Sequence, residues 1–113
     1  MAKIYSIESN QLKEWMESGK VELIDVRNLD EYDAMNIAGS KLKPVNEVSL
    51  DDIECTDDPE VRLVIHCRSG KRSMMACQQL IAEGLSKDVW NLEGGILAWS
   101  TTGFPVQGKD LAS

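Results

Sequence analysis

Val61-Arg62-Leu63-Val64-Ile65-His66-Cys67-Arg68-Ser69-Gly70-Lys71-Arg72-Ser73 is the stretch on which the fold turns. Its first half is a nearly continuous apolar run, Val61, Leu63, Val64 and Ile65, as expected of a strand buried on both faces. The run breaks at residues 67–72 into a polar loop that contains a glycine. Beyond the loop, Met74, Cys77 and Ile81 recur at i, i+3 and i+7, with Ala76 and Leu80 alongside and Gln78, Gln79 and Glu83 opposite. That spacing predicts an amphipathic helix. Cys67 therefore stands at the carboxyl end of a strand, just before a helix N-terminus, where open α/β sheets bind their ligands.

The position carries chemistry. A loop entering a helix directs free backbone N–H groups inward, and consecutive amides form a concavity suited to an anion. Arg68, Lys71 and Arg72 add positive charge. Such surroundings lower a cysteine from its ordinary pKa of about 8.5 to roughly 3.5–7.5. Cys67 is thus the candidate nucleophile, and Arg68, Ser69, Gly70, Lys71, Arg72 and Ser73 form the candidate substrate cradle. The blander reading is a buried structural cysteine beside a solvated basic loop. The joint occurrence of strand, cysteine, basic glycine loop and helix favours function. Gly70-Lys71 does not belong to a nucleotide P-loop. Ile65 stands where that motif needs its first glycine, and Arg72 where it needs Ser or Thr.

Outward from this stretch, short apolar strands alternate with helical patterns, which indicates an α/β domain with a mainly parallel sheet. Residues 4–7 read as a first strand. Ser9 or Asn10 can cap a helix through Ser18 that buries Leu12, Trp15 and Met16, with Gly19 as its stop. Residues 21–26 form the second strand. Asn28 with Glu31 resembles a capping box for a helix reaching about Met35 and packing Leu29 and Tyr32. Residues 41–45 suggest a short strand, with Pro44 marking an edge or an end. Residues 46–53 suggest a short helix with Val48, Leu50 and Ile53 inward. Residues 54–60 read as an acidic linker in which Cys55 is an exposed, incidental thiol, whereas Cys77 belongs to the core. Gly84 ends the helix after the loop, and residues 87–92 form the last strand. Gly94-Gly95 permits a tight turn or a close backbone approach before a short helix. Residues 107–113 read as a frayed tail.

The chain has 113 residues, enough for one domain, and is 42% hydrophobic. No apolar run approaches the ~18 residues of a membrane span, and residues 1–5 lack the features of a signal peptide. A cytoplasmic protein is the expectation. The formal net charge of −7 argues against nucleic-acid or anionic-membrane binding. Against that background, three cations within residues 68–72 form a local patch able to gather a small anion. Three cysteines without a Cys-x-x-Cys pair, and a single histidine, argue against a disulfide framework or a zinc site.

At these residues the chain resembles the single-domain rhodanese family of sulfurtransferases. Cys67-Arg68-Ser69-Gly70-Lys71-Arg72 matches the Cys-Arg-x-Gly-x-Arg loop of thiosulfate-type members rather than the Cys-Gly-Ser/Thr-Gly-Val-Thr loop of mercaptopyruvate-type members. Residues 23–40 resemble the family's first signature through Asp25, Arg27, Glu31, Tyr32, Ile37 and Gly39. Met35, Asn36, Ala38 and Ser40 depart from it, which is expected to loosen the turn at 35–39. Glu93-Gly94-Gly95 through Trp99 and Gly103-Phe104-Pro105-Val106 resembles the closing signature. The likeness spans residues 4–106. It implies a three-layer fold, a sheet of about five strands with helices on both faces. It also implies a two-step transfer of sulfane sulfur from thiosulfate through a Cys67 persulfide to cyanide or a thiol, with no metal and no organic cofactor. Asp25, Arg27 and Glu31 are expected to form a structural charge network near the site, and Arg72 either faces the substrate or braces the loop through that network. A carrier of persulfide between proteins is the second reading. A cysteine-based phosphatase or arsenate reductase is disfavoured by the four residues between Cys67 and Arg72, and a non-catalytic binding module by the intact basic loop.

Overall fold

All strands of the computed structural model, which describes residues 2–109, run in one direction. β1 (Ile4–Ile7), β2 (Val21–Asp25), β3 (Lys41–Leu42), β4 (Arg62–His66) and β5 (Val89–Leu92) form one sheet in the order β1-β5-β4-β2-β3. Helices α1 (Ser9–Ser18), α2 (Leu29–Ala34) and α3 (Lys71–Ala82) follow β1, β2 and β4, and α4 (Gly95–Thr101) follows β5. β4 lies at the centre, with Ile65 opposite Ile24 of β2 and Asn91 of β5.

The apolar run of β4 serves two cores because successive side chains of a strand point to opposite faces. Leu63 and Ile65 join Ile24, Val26, Ala76, Cys77, Leu80 and Val89 beneath α3. Val64 joins Leu23, Leu12, Leu92, Ile96 and Trp99 beneath α1 and α4. The sheet is therefore covered on both sides, as the sequence predicts.

Local departures have identifiable causes. The cap of α1 is Glu8, in extended conformation, rather than Ser9 or Asn10; Ser9 lies inside the helix and is buried. Gly19 ends that helix at φ 77°. The helix expected at 46–53 contracts to one 3-10 turn, Leu50–Asp52, because Val48 and Ile53 already reach the core from irregular backbone. Leu29, expected to pack, is the first residue of α2 and is 61% exposed.

The segment 54–60 is not a free linker, and Cys55 is 5% exposed rather than surface-lying. The Glu22 carboxylate accepts the N–H groups of Glu54 and Cys55 at 3.0 and 2.8 Å. The Lys87 ammonium donates to the carbonyls of Cys55, Asp58 and Val61 at 2.8, 2.8 and 2.6 Å. Two charged side chains thus draw the segment onto the sheet and press Cys55 into the core.

The turn at 35–39 is likewise tied down. The Arg27 Nη2 donates to the Met35 carbonyl at 2.7 Å, and Asn36 Nδ2 to the Tyr32 carbonyl at 2.8 Å. Asn36 and Gln107 exchange backbone hydrogen bonds in an antiparallel bridge, and Gln107 Nε2 donates to Asn36 Oδ1 at 3.0 Å. The start of the expected tail is therefore anchored at Gln107, and residues 110–113 lie outside the described residues.

Candidate active site

Gly70, at φ 111° and ψ −10°, turns the chain from the loop into α3, so Lys71, Arg72 and Ser73 form the helix's first turn. Cys67, 1% exposed, lies at the floor of this turn. Its Sγ accepts the Gly70 N–H at 3.1 Å and lies 3.4 Å from Ser73 Oγ. Burial opposes ionisation of Cys67, but the Ser73 hydroxyl and the backbone amides of Ser73, Gly70 and Ser69 outweigh it and hold the thiol below its ordinary value. At the other two cysteines burial is not outweighed. Burial, reinforced by Glu22, pushes Cys55 up to about 11, and burial pushes Cys77 up to about 12.

The loop is clamped from two sides. Ser73 Oγ donates to Asn91 Oδ1 at 2.5 Å, and Asn91 Nδ2 donates to the Gly70 carbonyl at 3.2 Å. From the other side, the Ile96 and Leu97 amides at the start of α4 donate to the carbonyls of Cys67 and Arg68 at 3.0 and 3.2 Å. Gly94 and Gly95 have φ of 76° and 58°, and a Cβ on Gly95 would collide with those same loop carbonyls. The glycine pair therefore provides both the tight turn and the close approach. Asn91 is a site residue that the sequence reading missed. Its signal was a buried amide in the apolar strand Val89-Trp90-Asn91-Leu92.

Behind the loop, Asp25 and Arg27 form a buried ion pair. Asp25 Oδ1 accepts Arg27 N and Nε at 3.0 Å, and Oδ2 accepts Nη2 at 2.7 Å. His66, which the sequence reading assigned no role, is fully buried, with Nε2 3.6 Å from Asp25 Oδ2 and Nδ1 3.4 Å from the Cys67 carbonyl. Burial holds its imidazole below the ordinary value, so the ring is neutral near pH 7. Glu31, on α2, meets this pair through its backbone, where its carbonyl accepts Arg27 Nη1 at 3.4 Å, and its carboxylate takes both terminal nitrogens of Arg72 at 2.7 and 2.9 Å. The hydrogen bond from Arg72 is the main reason that Glu31 falls to about 2.

The six cradle residues thus divide. Arg68, Ser69 and Lys71 are exposed at the mouth, and neither cation forms an ion pair among the described residues. Gly70 contributes backbone. Ser73 is buried beside the sulfur, and Arg72 is turned to Glu31 rather than to the mouth. Among the described residues no cluster of three His, Cys, Asp or Glu side chains is arranged to hold a metal ion.

Fold and loop together define an α/β protein with a cysteine seated in an amide cradle between a central parallel strand and its helix. The chain belongs to the rhodanese-like domain family, whose model matches residues 8–102. A "Sulfurtransferase" of Allochromatium vinosum is 34% identical over 91% of this chain and 94% of its own length. The "Probable adenylyltransferase/sulfurtransferase MoeZ" of Mycobacterium tuberculosis is also 34% identical, over 88% of this chain, but the chain spans only 25% of that protein. In shape the chain matches the crystal structure of a thiosulfate sulfurtransferase from Pseudomonas aeruginosa, with TM-score 0.83 and 25% identity, over 93% of this chain and 20% of that one. The chain is thus a rhodanese-like domain with sulfurtransferases among its homologues.

Proposed function

We propose that the protein transfers sulfane sulfur from thiosulfate to a thiophilic acceptor, cyanide or a thiol, through a persulfide on Cys67. The observation that carries this reading is the selective lowering of one cysteine out of three, by amides and a hydroxyl aimed at its sulfur. The Cys67 thiolate attacks the outer sulfur of thiosulfate. The S–S bond of the donor breaks with its electron pair on the leaving group, so sulfite departs and Cys67 keeps an anionic persulfide. The acceptor then takes the outer sulfur and returns the thiolate.

Each residue has a part. Amides of Ser69, Gly70 and Ser73 stabilise the negative sulfur. Ser73 has one proton and two neighbouring acceptors, Asn91 Oδ1 and Sγ. The proton lies with Asn91 while Cys67 is a thiol and turns to Sγ when it ionises. Arg68 and Lys71, free at the mouth, attract the dianionic donor and the sulfite. Arg72 braces the loop through Glu31. No general base is required once Cys67 is ionised. Three free cysteines suit a reducing compartment such as the cytoplasm.

The test is an intact mass after incubation with thiosulfate and removal of excess. One added sulfur atom, lost with cyanide and absent in Cys67→Ser, supports the reading; activity retained in Cys67→Ser ends it. Arg68→Ala or Lys71→Ala is expected to raise the KM for thiosulfate about two- to fivefold, the scale of one screened surface charge. An unchanged KM removes their donor-binding role.

A further inference from the structure

Among the described residues four large apolar side chains are exposed: Tyr5, Leu29, Met75 and Leu97. Three of them belong to the N-terminal halves of α2, α3 and α4. In a parallel sheet those helix starts gather at one end, the end that carries the Cys67 loop. The local contacts agree. The Leu97 amide donates to the Arg68 carbonyl at 3.2 Å. Met75 follows Lys71 by four residues and shares its exposed stripe on α3. Leu29 begins the helix whose Glu31 holds Arg72. Leu29 and Met75 are 61% and 59% exposed, so neither serves the core.

Cations and amides are enough for a small anion; aliphatic groups on three helices are not accounted for by thiosulfate. We propose that this end of the molecule docks an acidic protein segment whose cysteine lies between aliphatic side chains, and that this cysteine is an acceptor of the sulfur on Cys67. The inference rests on the reading of Cys67 as a sulfur carrier. The charge distribution selects the partner. A chain of net charge −7 repels an acidic partner over most of its surface, at exposed Asp30 and Glu93 on this end as well, and attracts it at the mouth of the loop, where Arg68 and Lys71 stand unpaired, which orients the encounter toward the nucleophile. A second copy of this chain fits less well, because the cysteine in its own acidic segment, Cys55, is 5% exposed and held inward by Glu22 and Lys87.

In the transfer, the partner's sulfur forms a bond to the outer sulfur of the persulfide and the Cys67 Sγ–S bond breaks. Its electron pair stays on Sγ, and the partner's thiol proton ends on the transferred sulfur. Cys67 returns as thiolate, the partner leaves as a persulfide, and no outside oxidant or reductant enters.

The experiment loads the protein from thiosulfate, desalts it, and follows sulfur loss to three acceptors: the peptide Glu-Leu-Cys-Leu-Asp, the peptide Lys-Ser-Cys-Ser-Lys, and cyanide. The acidic aliphatic peptide is expected to react faster than the basic polar one. Leu29→Gln/Met75→Gln is expected to slow it about fivefold, as loss of a modest apolar contact would, with the cyanide rate unchanged. Equal rates for the two peptides, or an unaltered peptide rate in the double variant while cyanide still discharges it, overturn the docking surface and leave the sulfur-transfer reading intact. A dimer in sedimentation that the double variant abolishes gives the face to a second copy and overturns the proposed partner. If thiosulfate loads no sulfur, the function reading fails and the docking inference falls with it.

Discussion

At the scale of the residue, the site is a contest between burial and hydrogen bonding, fought three times with different outcomes. Burial prevails at Cys55, where the Glu22 carboxylate reinforces it, and at Cys77, and they rise to about 11 and about 12, while Cys67, 1% exposed, falls because donors converge on it. Alkylation by iodoacetamide at pH 7, read by peptide mass, is therefore expected to label Cys67 well before the other two. Ser73→Ala removes the hydroxyl from Sγ and is expected to raise the pKa of Cys67, so the pH midpoint of its alkylation moves upward. A midpoint that stays in place would falsify the role of Ser73. Asn91→Ala leaves the Gly70 carbonyl and the Ser73 hydroxyl without that partner and is expected to cost about 1–3 kcal/mol in urea unfolding.

Elements meet at the site through charges and bare backbone. Glu31 on α2 and Arg72 on α3 couple two helices, and the titration of Glu31 dates the loss of that coupling. Its folded pKa, about 2, is below its ordinary 4.5, so its contribution to stability is complete above about 4.5 and fades as the pH falls toward about 2. The urea midpoint of the wild type is expected to fall more steeply across that window than that of Glu31→Gln. The start of α4 approaches the loop closely enough that Gly95→Ala meets both a clash and a positive φ. It is expected to cost about 2 kcal/mol or more and to impair sulfur loading with it. How far the elements could be read in advance follows from the same distinction. The strands, the helix after the loop, the Gly19 stop and the Gly94-Gly95 turn were legible because each rests on local periodicity or a conformational demand. The burial of Cys55, the anchoring of Asn36 and the place of Asn91 were not, because each depends on partners far along the chain: Glu22 and Lys87, Gln107, and Ser73. The orientation of Arg72 was left open in the sequence for the same reason, since Glu31 lies 41 positions away.

For the molecule as a whole, the inner strands β2, β4 and β5 unite both cores, with β4 at their centre. Leu63 and Ile65 feed the cluster beneath α3, and Val64 feeds the one beneath α1 and α4. Leu63→Ala is expected to destabilise by about 2–5 kcal/mol, the range for emptying a fully buried leucine site, with a single cooperative transition because the sheet is shared. The order β1-β5-β4-β2-β3 places the nucleophile at the end of the central strand, which is paired on both sides by strands that are themselves paired on both sides. Backbone amides of such a strand exchange with deuterium only when the whole structure opens, whereas edge strands exchange through local breathing. The amides of Val64 and Ile65 are therefore expected to be among the last to exchange, and those of β3 among the first. The most reactive atom of the chain is thus anchored to its least mobile segment, so its chemistry should persist under mild denaturant until global unfolding begins.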